Sequence, residues 1–485
     1  MATGGGVISA LAQGFLDGGA EFAVHYPGWH SHEIYDELVM GSLKRKALLV
    51  KMGMALNEKV AYQLAFGASL SGSRSVVIMK NYGLNVAADP FLNSHLTGVN
   101  AGLVLVVTDD MDVEGSQGCQ DSRFYRNFHG GLWLEPTSLN QAYEMALRSF
   151  QWSEEVDLPV VVRLTNDHFK WRGWCAEPAQ ASEATDQVQG SKKLSKIEAS
   201  KYVVHPKTWK PHRDRLEAKL RRVQDLVDGW LKIDPSVLAG GKRLRVQVGA
   251  CQGTPADAED EEILKVATVS TYPLPSQLMA SVSSFHEVEV EESGAPYALN
   301  LLQAGQAGLG TVQIRKVLRS EPDHSDRVIV WDGLEKLFSA LATIQPRHVV
   351  ADLGQSTQES KGVVTSCLCL GSAVAVAWGV AFGSAGRDYP FCISGDASLL
   401  HGGGRSLLDD AVSCAESQSI GLCIVVIDNG GSASTGGQMV SSCLHAHLPS
   451  FAESVLYADT SEGEFLALFR RCASERRFAL IHLQV

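Results

Sequence analysis

Two short stretches carry the residue types that can hold a metal ion and a phosphate chain. One reads ISGDASLLHGGGRSLLDDAV, with Gly395, Asp396, Ala397 and Ser398 near its front. The other reads VVIDNGGSASTGGQ, with Asp428, Asn429, Gly430, Gly431 and Ser432. Each follows an apolar run, so a carboxylate and several small residues stand where a strand gives way to a loop. Open parallel sheets bind ligands outside the carboxyl ends of their strands, at the mouths of such loops. Magnesium prefers hard oxygen ligands in an octahedron and usually keeps phosphate oxygens and water among them. An Asp carboxylate, an Asn amide oxygen and one backbone carbonyl would supply the protein's share. The glycines would let backbone N–H groups approach diphosphate oxygens. Either dipeptide alone, GD or DN, also suits an ordinary strand-to-helix turn with Asp as helix cap. Both together, about 30 residues apart and followed by TGGQ, point to a metal–diphosphate site.

Such loops need sheets to present them. Short apolar runs recur at Glu21–Tyr26, Ala47–Val50, Ser75–Met79, Leu103–Thr108 and Pro159–Leu164, each followed by a helical pattern. Later ones fall at Arg245–Val248, Glu287–Val290, His348–Ala351, Phe391–Ser394, Leu422–Ile427 and Phe478–Leu483. Continuous apolar strands alternating with helices predict an α/β protein with doubly wound parallel sheets covered on both faces. The polar stretch Ala176–Lys193 lacks periodicity and reads as a linker. The expected organisation is 1–175, a linker and helix over 176–238, a smaller α/β domain over 239–320, and 321–485.

A chain of 485 residues exceeds what one core can organise. Its net charge of −12 argues against a nucleic-acid partner. The basic run Arg213–Arg222 is interleaved with acids and apolar residues at helical spacing, as in a solvated amphipathic helix. Ten scattered cysteines show neither metal-binding nor cluster spacing, which suits a reduced, cytoplasmic protein. The N-terminus lacks the basic start of a signal peptide. Val363–Phe382 is apolar enough to span a membrane, but its Gly, Ser and Ala content favours a buried core helix.

Another candidate acid, Glu58, opens the amphipathic pattern NEKVAYQLAFGASLSGSR. Ala61, Leu64, Ala65 and Ala68 share one face, with Gly67 and Gly72 permitting tight packing. On these residues alone, Glu58 reads as a helix-N-terminal charge placed favourably against the dipole.

The pair of strand-end motifs resembles the thiamine-diphosphate motif, which opens with GD and closes with an asparagine. IDNGGSASTGGQ is similar to the version in 2-oxoacid:ferredoxin oxidoreductases. GDASLLHGG resembles the loop of the indolepyruvate:ferredoxin oxidoreductase α subunit. NEKVAYQLAFGASLSGSR with MKNYGLNVAADP, then QDSR within Gly115–Tyr125, and PVVVRLTNDH resemble that family's pyrimidine-binding (PYR) domain. KYVVHPKTWKPHRDRLEAKL and STYPLPSQLMASVSSFHEVEVEES resemble its linker helix and transketolase-C-like domain. The resemblance implies that Asp396, the Asn429 side chain and the Gly431 carbonyl ligate magnesium. It further implies that Gly354, Gln355 and Ser356, with the strand-end loops, hold thiamine diphosphate. Glu58 would then be the acid that faces the aminopyrimidine nitrogen, a contact that favours the imino tautomer and so activates the thiazolium carbon.

The sequence departs from that family in places. No cluster-binding, ferredoxin-like segment follows the diphosphate (PP) domain, which predicts decarboxylation or carboligation through an enamine in place of oxidation. The alternative is a catalytic subunit with a separate iron–sulfur partner. Where the family has a Thr-Pro pair, this chain has Trp29 and His30, followed by His32. With His25, this puts three histidines within eight residues. Trp29, His32 and Asn81 are candidate substrate contacts, and His30 and His401 candidate proton carriers. The expected substrate is a 2-oxo acid, of arylpyruvate type as the resemblance implies, and the expected assembly a homodimer without membrane or nucleic-acid partners.

Overall fold

A computed structural model describes residues 5–45, 49–173, 199–204, 206–250, 264–305, 313–316, 334–352, 362–367, 369–384, 387–418, 420–432, 438–439, 448 and 452–485. The expected linker lies outside them. The chain forms two compact units, Met1–Pro322 and Asp323–Val485.

The first unit begins with β1 (Phe22–His25), β2 (Val50–Met54), β3 (Ser75–Lys80), β4 (Leu103–Asp109), β5 (Leu132–Leu134) and β6 (Val160–Thr165). β7 (Gly241–Val248), β8 (Leu264–Val269), β9 (Thr271–Tyr272), β10 (Phe285–Glu291) and β11 (Gln313–Lys316) follow. The large sheet runs β2-β1-β3-β4-β6-β5-β9, and only β9 is antiparallel to its neighbour. Strand order reverses between β1 and β3, because β1 leads outward to β2 and β3 leads the other way to β4. A crevice at such a reversal is where open α/β sheets take ligands. The smaller sheet, β11-β10-β7-β8, is parallel throughout.

β4 shows why the apolar runs fold this way. Leu103, Leu105 and Val107 face one core while Val104 and Val106 face another. Burying each such side chain stabilises by roughly 1.5–3 kcal/mol, so helices must cover both faces. They are α1 (Val7–Asp17), α2 (Ser31–Arg45), α3 (Glu58–Leu70), α4 (Asn81–Thr97), α5 (Leu139–Val156) and α6 (Trp209–Trp230). The basic run lies on α6, whose buried face is His212, Leu216, Lys219, Val223 and Val227. One cation turns inward, against the solvated reading: Lys219 pairs with Asp157 at 3.0 Å.

The second unit holds β12 (Val349–Ala351), β13 (Phe391–Gly395), β14 (Cys423–Asp428), the small antiparallel pair β15 (Gly431–Ser432) and β16 (Gln438–Met439), β17 (Glu453–Leu456) and β18 (Ala479–Gln484). Its parallel sheet is ordered β12-β13-β14-β18-β17. Its helices are α7 (Glu335–Ile344), α8 (Ala373–Gly383), α9 (Asp396–Gly402), α10 (Gly404–Gln418) and α11 (Glu462–Glu475).

Three expectations are corrected. The second strand, Val50–Met54, continues past the expected end at Val50, pairing Phe22 with Val50 and His25 with Met54, while Ala47 and Leu48 lie outside the described residues. The apolar stretch Val363–Phe382 is not one helix. Its front bridges β12 through Ser366, Gly371 turns the chain at φ +78°, and only Ala373–Gly383 is helical. A Cβ on Gly67 would meet no neighbouring element within 4 Å, so this glycine does not serve close packing. Among the described residues no helix is long and apolar enough to cross a membrane.

Candidate active site

Glu58 begins α3, whose N-cap is Asn57: the Asn57 side-chain oxygen accepts from the Val60 N–H at 2.9 Å. The Glu58 side chain turns inward and is only 5% exposed. It lies against the first turn of α4, where a Cβ on Gly83 would stand 2.5 Å from Glu58 Cγ and 2.7 Å from Oε1. Gly83 is therefore the space that admits this carboxyl. Tyr26, just past β1, feels it too: burial, then the Glu58 charge, push its phenol well above the usual range. Lys80, the last residue of β3, is pulled down by burial and back up by the charges of Glu58 and Asp110.

The Trp29–His32 turn leaves β1 on the same edge. His30 holds a left-handed φ of +55°, unusual for a residue with a side chain. Its ring stacks on Phe169 at 4.1 Å, and Nδ1 pairs with Glu33, whose carboxyl that contact holds below its ordinary range. Trp29 meets Phe169 edge-on at 5.0 Å, and Thr108 donates to its carbonyl at 2.7 Å. Both rings are half-buried. His32 lies 3.2 Å from the Gly28 carbonyl, and His25 is buried, stacked on Tyr35 at 4.1 Å. Asn81 spends its amide internally, donating to the Gln120 carbonyl at 2.7 Å and accepting from the Tyr82 N–H at 2.9 Å.

Beneath this rim, the QDSR and RLTNDH motifs meet in a buried ion network. Arg163 donates to Asp109 at 2.7 Å and Glu135 at 2.8 Å, and Arg123 donates to Glu292 at 2.6 Å and Tyr272 at 2.9 Å. Arg123 also forks onto Asp121. The network joins β4, β5 and β6 to the loop after β10, and nothing in the sequence reading assigned it.

In the second unit, Asp396 sits at the end of β13 and starts α9, buried to 2% exposure. Its Oδ1 accepts from the Ala397 N–H at 2.7 Å. Burial foremost, with the charge of Asp428 at the end of β14, raises its pKa to about 6, while the Ala397 N–H and then the Gly430 and Gly431 N–H groups oppose that rise. Asn429 is exposed, and its Oδ1 accepts from the Gly431 N–H at 3.3 Å. Asp428 accepts from the Gly430 N–H at 3.3 Å and lies 2.8 Å from Nε2 of buried His482. At the end of β12, Asp352 accepts from Ser394 Oγ at 2.5 Å and the Ala373 N–H at 2.9 Å. Gly395 precedes the helix, Ala397 and buried Ser398 line its first turn, and Gly431 and Ser432 form the short strand beyond. His401 is half-buried in the last turn of α9. Gly354, Gln355 and Ser356 lie outside the described residues.

The second unit thus gathers acids at three neighbouring strand ends: the register of β13 and β14, which pairs Gly395 with Ile427, sets Asp396 near Asp428, with Asn429 one residue further along the chain. Among the described residues no group of three or more His, Cys, Asp or Glu is arranged to hold a metal ion. Asp428, whose charge acts on Asp396, stood inside the quoted motif yet was read only as its neighbour's frame. Lys80 was passed over in the same way within MKNYGLN.

No family model matches the chain. An indolepyruvate oxidoreductase subunit IorA from Archaeoglobus fulgidus is 26% identical over 88% of this chain and 75% of its own length. This chain is a relative of the 2-oxoacid oxidoreductases. The subunit from Thermococcus kodakarensis is 29% identical over 66% of this chain, and that from Pyrococcus abyssi 39% over 34%. The chain spans less than half the length of these two, 46% and 25%. A solved 2-oxoglutarate:ferredoxin oxidoreductase from Magnetococcus marinus aligns with 66% of this chain and 62% of its own, at 16% identity and a TM-score of 0.47.

Proposed function

We propose that this chain uses thiamine diphosphate and magnesium to cleave a 2-oxo acid between its carboxyl and carbonyl carbons, as part of a 2-oxoacid oxidoreductase. The observation that carries the reading is Asp396, a buried acid whose pKa is raised to about 6 by burial and by Asp428. Concentrated negative charge at adjacent strand ends, opposed among the described residues by backbone dipoles and a histidine, fits a dication. Asp396, the Asn429 amide oxygen and the Gly431 carbonyl would hold magnesium, and the Gly430–Ser432 turn would take the diphosphate. Bound thiamine diphosphate supplies a nucleophilic carbon and an electron sink. Glu58, confined by Gly83, would hold a proton at the aminopyrimidine ring nitrogen. His401 and His30 are the candidate groups for moving protons near the substrate.

Relatives named as oxidoreductase subunits support passage of the electrons to a separate iron–sulfur protein. A second reading, non-oxidative release of the product, is favoured by the half-buried Trp29, His30 and Phe169 cluster, which places an imidazole in an aromatic wall. The test is purified protein with both cofactors and a panel of arylpyruvates, followed for carbon dioxide. Release that needs a dye acceptor and coenzyme A supports oxidation. Aldehyde formed without an acceptor supports the second reading. No carbon dioxide under either condition overturns both. Glu58→Gln should lower turnover by about 100-fold or more while cofactor binding persists.

A further inference from the structure

Lys80 stands at the reversal point of the large sheet, between the ends of β1 and β3. Its stem lies on the β1 turn: a Cβ on Gly28 would sit 2.8 Å from Lys80 Cδ and 2.9 Å from Cγ. That close approach fixes the direction of an otherwise flexible side chain. The ammonium lies 4.9 Å from the centre of the Tyr82 ring and 3.5 Å from Gln117 Oε1, a long contact for a hydrogen bond. Among the described residues no carboxylate lies within ion-pair distance of it. Asp110, just past the end of β4, directs its oxygens elsewhere. It accepts from the N–H groups of Glu114 at 2.8 Å and Gly115 at 2.7 Å and from the Asn166 amide at 2.8 Å. Lys80 is also the N-cap of α4, a 17-residue helix whose positive dipole end favours an anion there. A mostly buried ammonium whose contacts are a weak neutral acceptor and a ring face, beside the positive end of a helix, has room in its coordination for a strong anionic acceptor.

We infer that Lys80 binds the carboxylate of the 2-oxo acid, directing the rest of the molecule along the β1 turn toward Trp29. The inference rests on the function proposed above only for the identity of the acid, since the anion-binding geometry belongs to this unit alone. Lysine suits the role as a compact point charge with three donors. Gln117 and the Tyr82 ring would then flank the anion, and Gly28 would be required to remain without a side chain.

The test is isothermal titration of phenylacetate, which has a carboxylate and an aryl group but no reacting carbonyl, into the full chain loaded with thiamine diphosphate and magnesium. Phenylacetamide is the uncharged control. Lys80→Met should weaken phenylacetate by about 10- to 100-fold and leave the amide unchanged, whereas Lys80→Arg should keep most of the affinity. In turnover, Lys80→Met should raise KM far more than it lowers kcat. Lys80→Gln provides the same comparison if the Met variant loses its circular dichroism. Equal binding of phenylacetate by wild type and Lys80→Met, equal loss of acid and amide, or no binding to wild type would overturn the inference. Carboxylate binding that depends on Lys80 without carbon dioxide release would retain it and remove the proposed reaction. Turnover with unchanged KM in Lys80→Met would do the reverse.

Discussion

The two units bury their acids in opposite ways. In the first, Asp109, Asp121, Glu135 and Glu292 share two guanidiniums, Arg123 and Arg163, all essentially without solvent contact. Asp121 is driven down to about 2: burial raises it, but both arginines overcome that. Four acids against two cations leave an excess of negative charge, and it falls on Asp109, raised to about 6 chiefly by burial. In the second unit, Asp396 reaches about 6 as well, but its neighbours are backbone N–H groups and a second carboxylate. Fixed cations complete the first cluster within the protein, so it can serve as a brace. Dipoles leave the second with repulsion that a bound dication would relieve.

The largest effect expected from breaking this contrast comes from Arg163→Met. Removing one partner of a buried pair strands Asp109 and Glu135, and such losses run about 3–5 kcal/mol. Chemical unfolding should show the first unit destabilised by that order. Affinity for the magnesium proposed to bind at Asp396, in the second unit, should stay within twofold of wild type. A weakened magnesium site would mean that the two acid clusters are not independent.

Next in size is Gly83→Ala. Its Cβ would overlap Glu58 at 2.5 Å, and overpacking of this kind costs about 1–3 kcal/mol. The Glu58 carboxyl must move, so turnover should fall at least tenfold, read by carbon dioxide release, while thiamine diphosphate binding through the second unit is kept.

The pH dependence separates Asp109 from Asp121. The folded-state pKa of Asp109, about 6, lies above its unfolded value. Between about pH 4 and 6 the unfolded chain gives up this proton while the folded chain keeps it, so stability from this group falls as pH rises. Asp121 has the opposite sign: its folded value of about 2 contributes stability at neutral pH that is lost as pH falls from about 4 toward 2. Thermal midpoints across pH 3 to 7 should lose the upper slope in Asp109→Asn and retain the lower one.

What the sequence revealed follows the same division. Strands such as VVIM and LVLVV were legible because both faces are buried, and GD and DN were legible as strand ends because a carboxylate followed by small residues closes each apolar run. The short and exposed strands were not: β5 (LWL) has three residues, the edge strand β9 two, and the edge strand β17 (ESVL) is largely exposed, so none has an apolar run long enough to betray it. The ion network was illegible for a different reason. Arg163 and Glu135 are 28 residues apart, and Arg123 and Glu292 are 169 apart. Charged residues scattered at such distances look like surface until tertiary structure buries them. Lys80 looked ordinary for the same reason, since its meaning comes from Gly28 in the turn after β1.

The smallest effect expected is also the one that most sharpens the contrast. Asp396→Asn keeps a side-chain oxygen that can accept from the Ala397 N–H while removing the charge that Asp428 opposes. Without magnesium the variant should be no less stable than wild type, and more stable by up to about 1 kcal/mol, because a raised carboxyl pKa means the folded state disfavours the ionised form. With magnesium and thiamine diphosphate added, wild type should gain several degrees in thermal midpoint by mass action and the variant almost none. The sign of the metal-free change is the decisive reading. A brace loses stability when its charge is removed, as Arg163 should, whereas an acid held ready for a cation gains it.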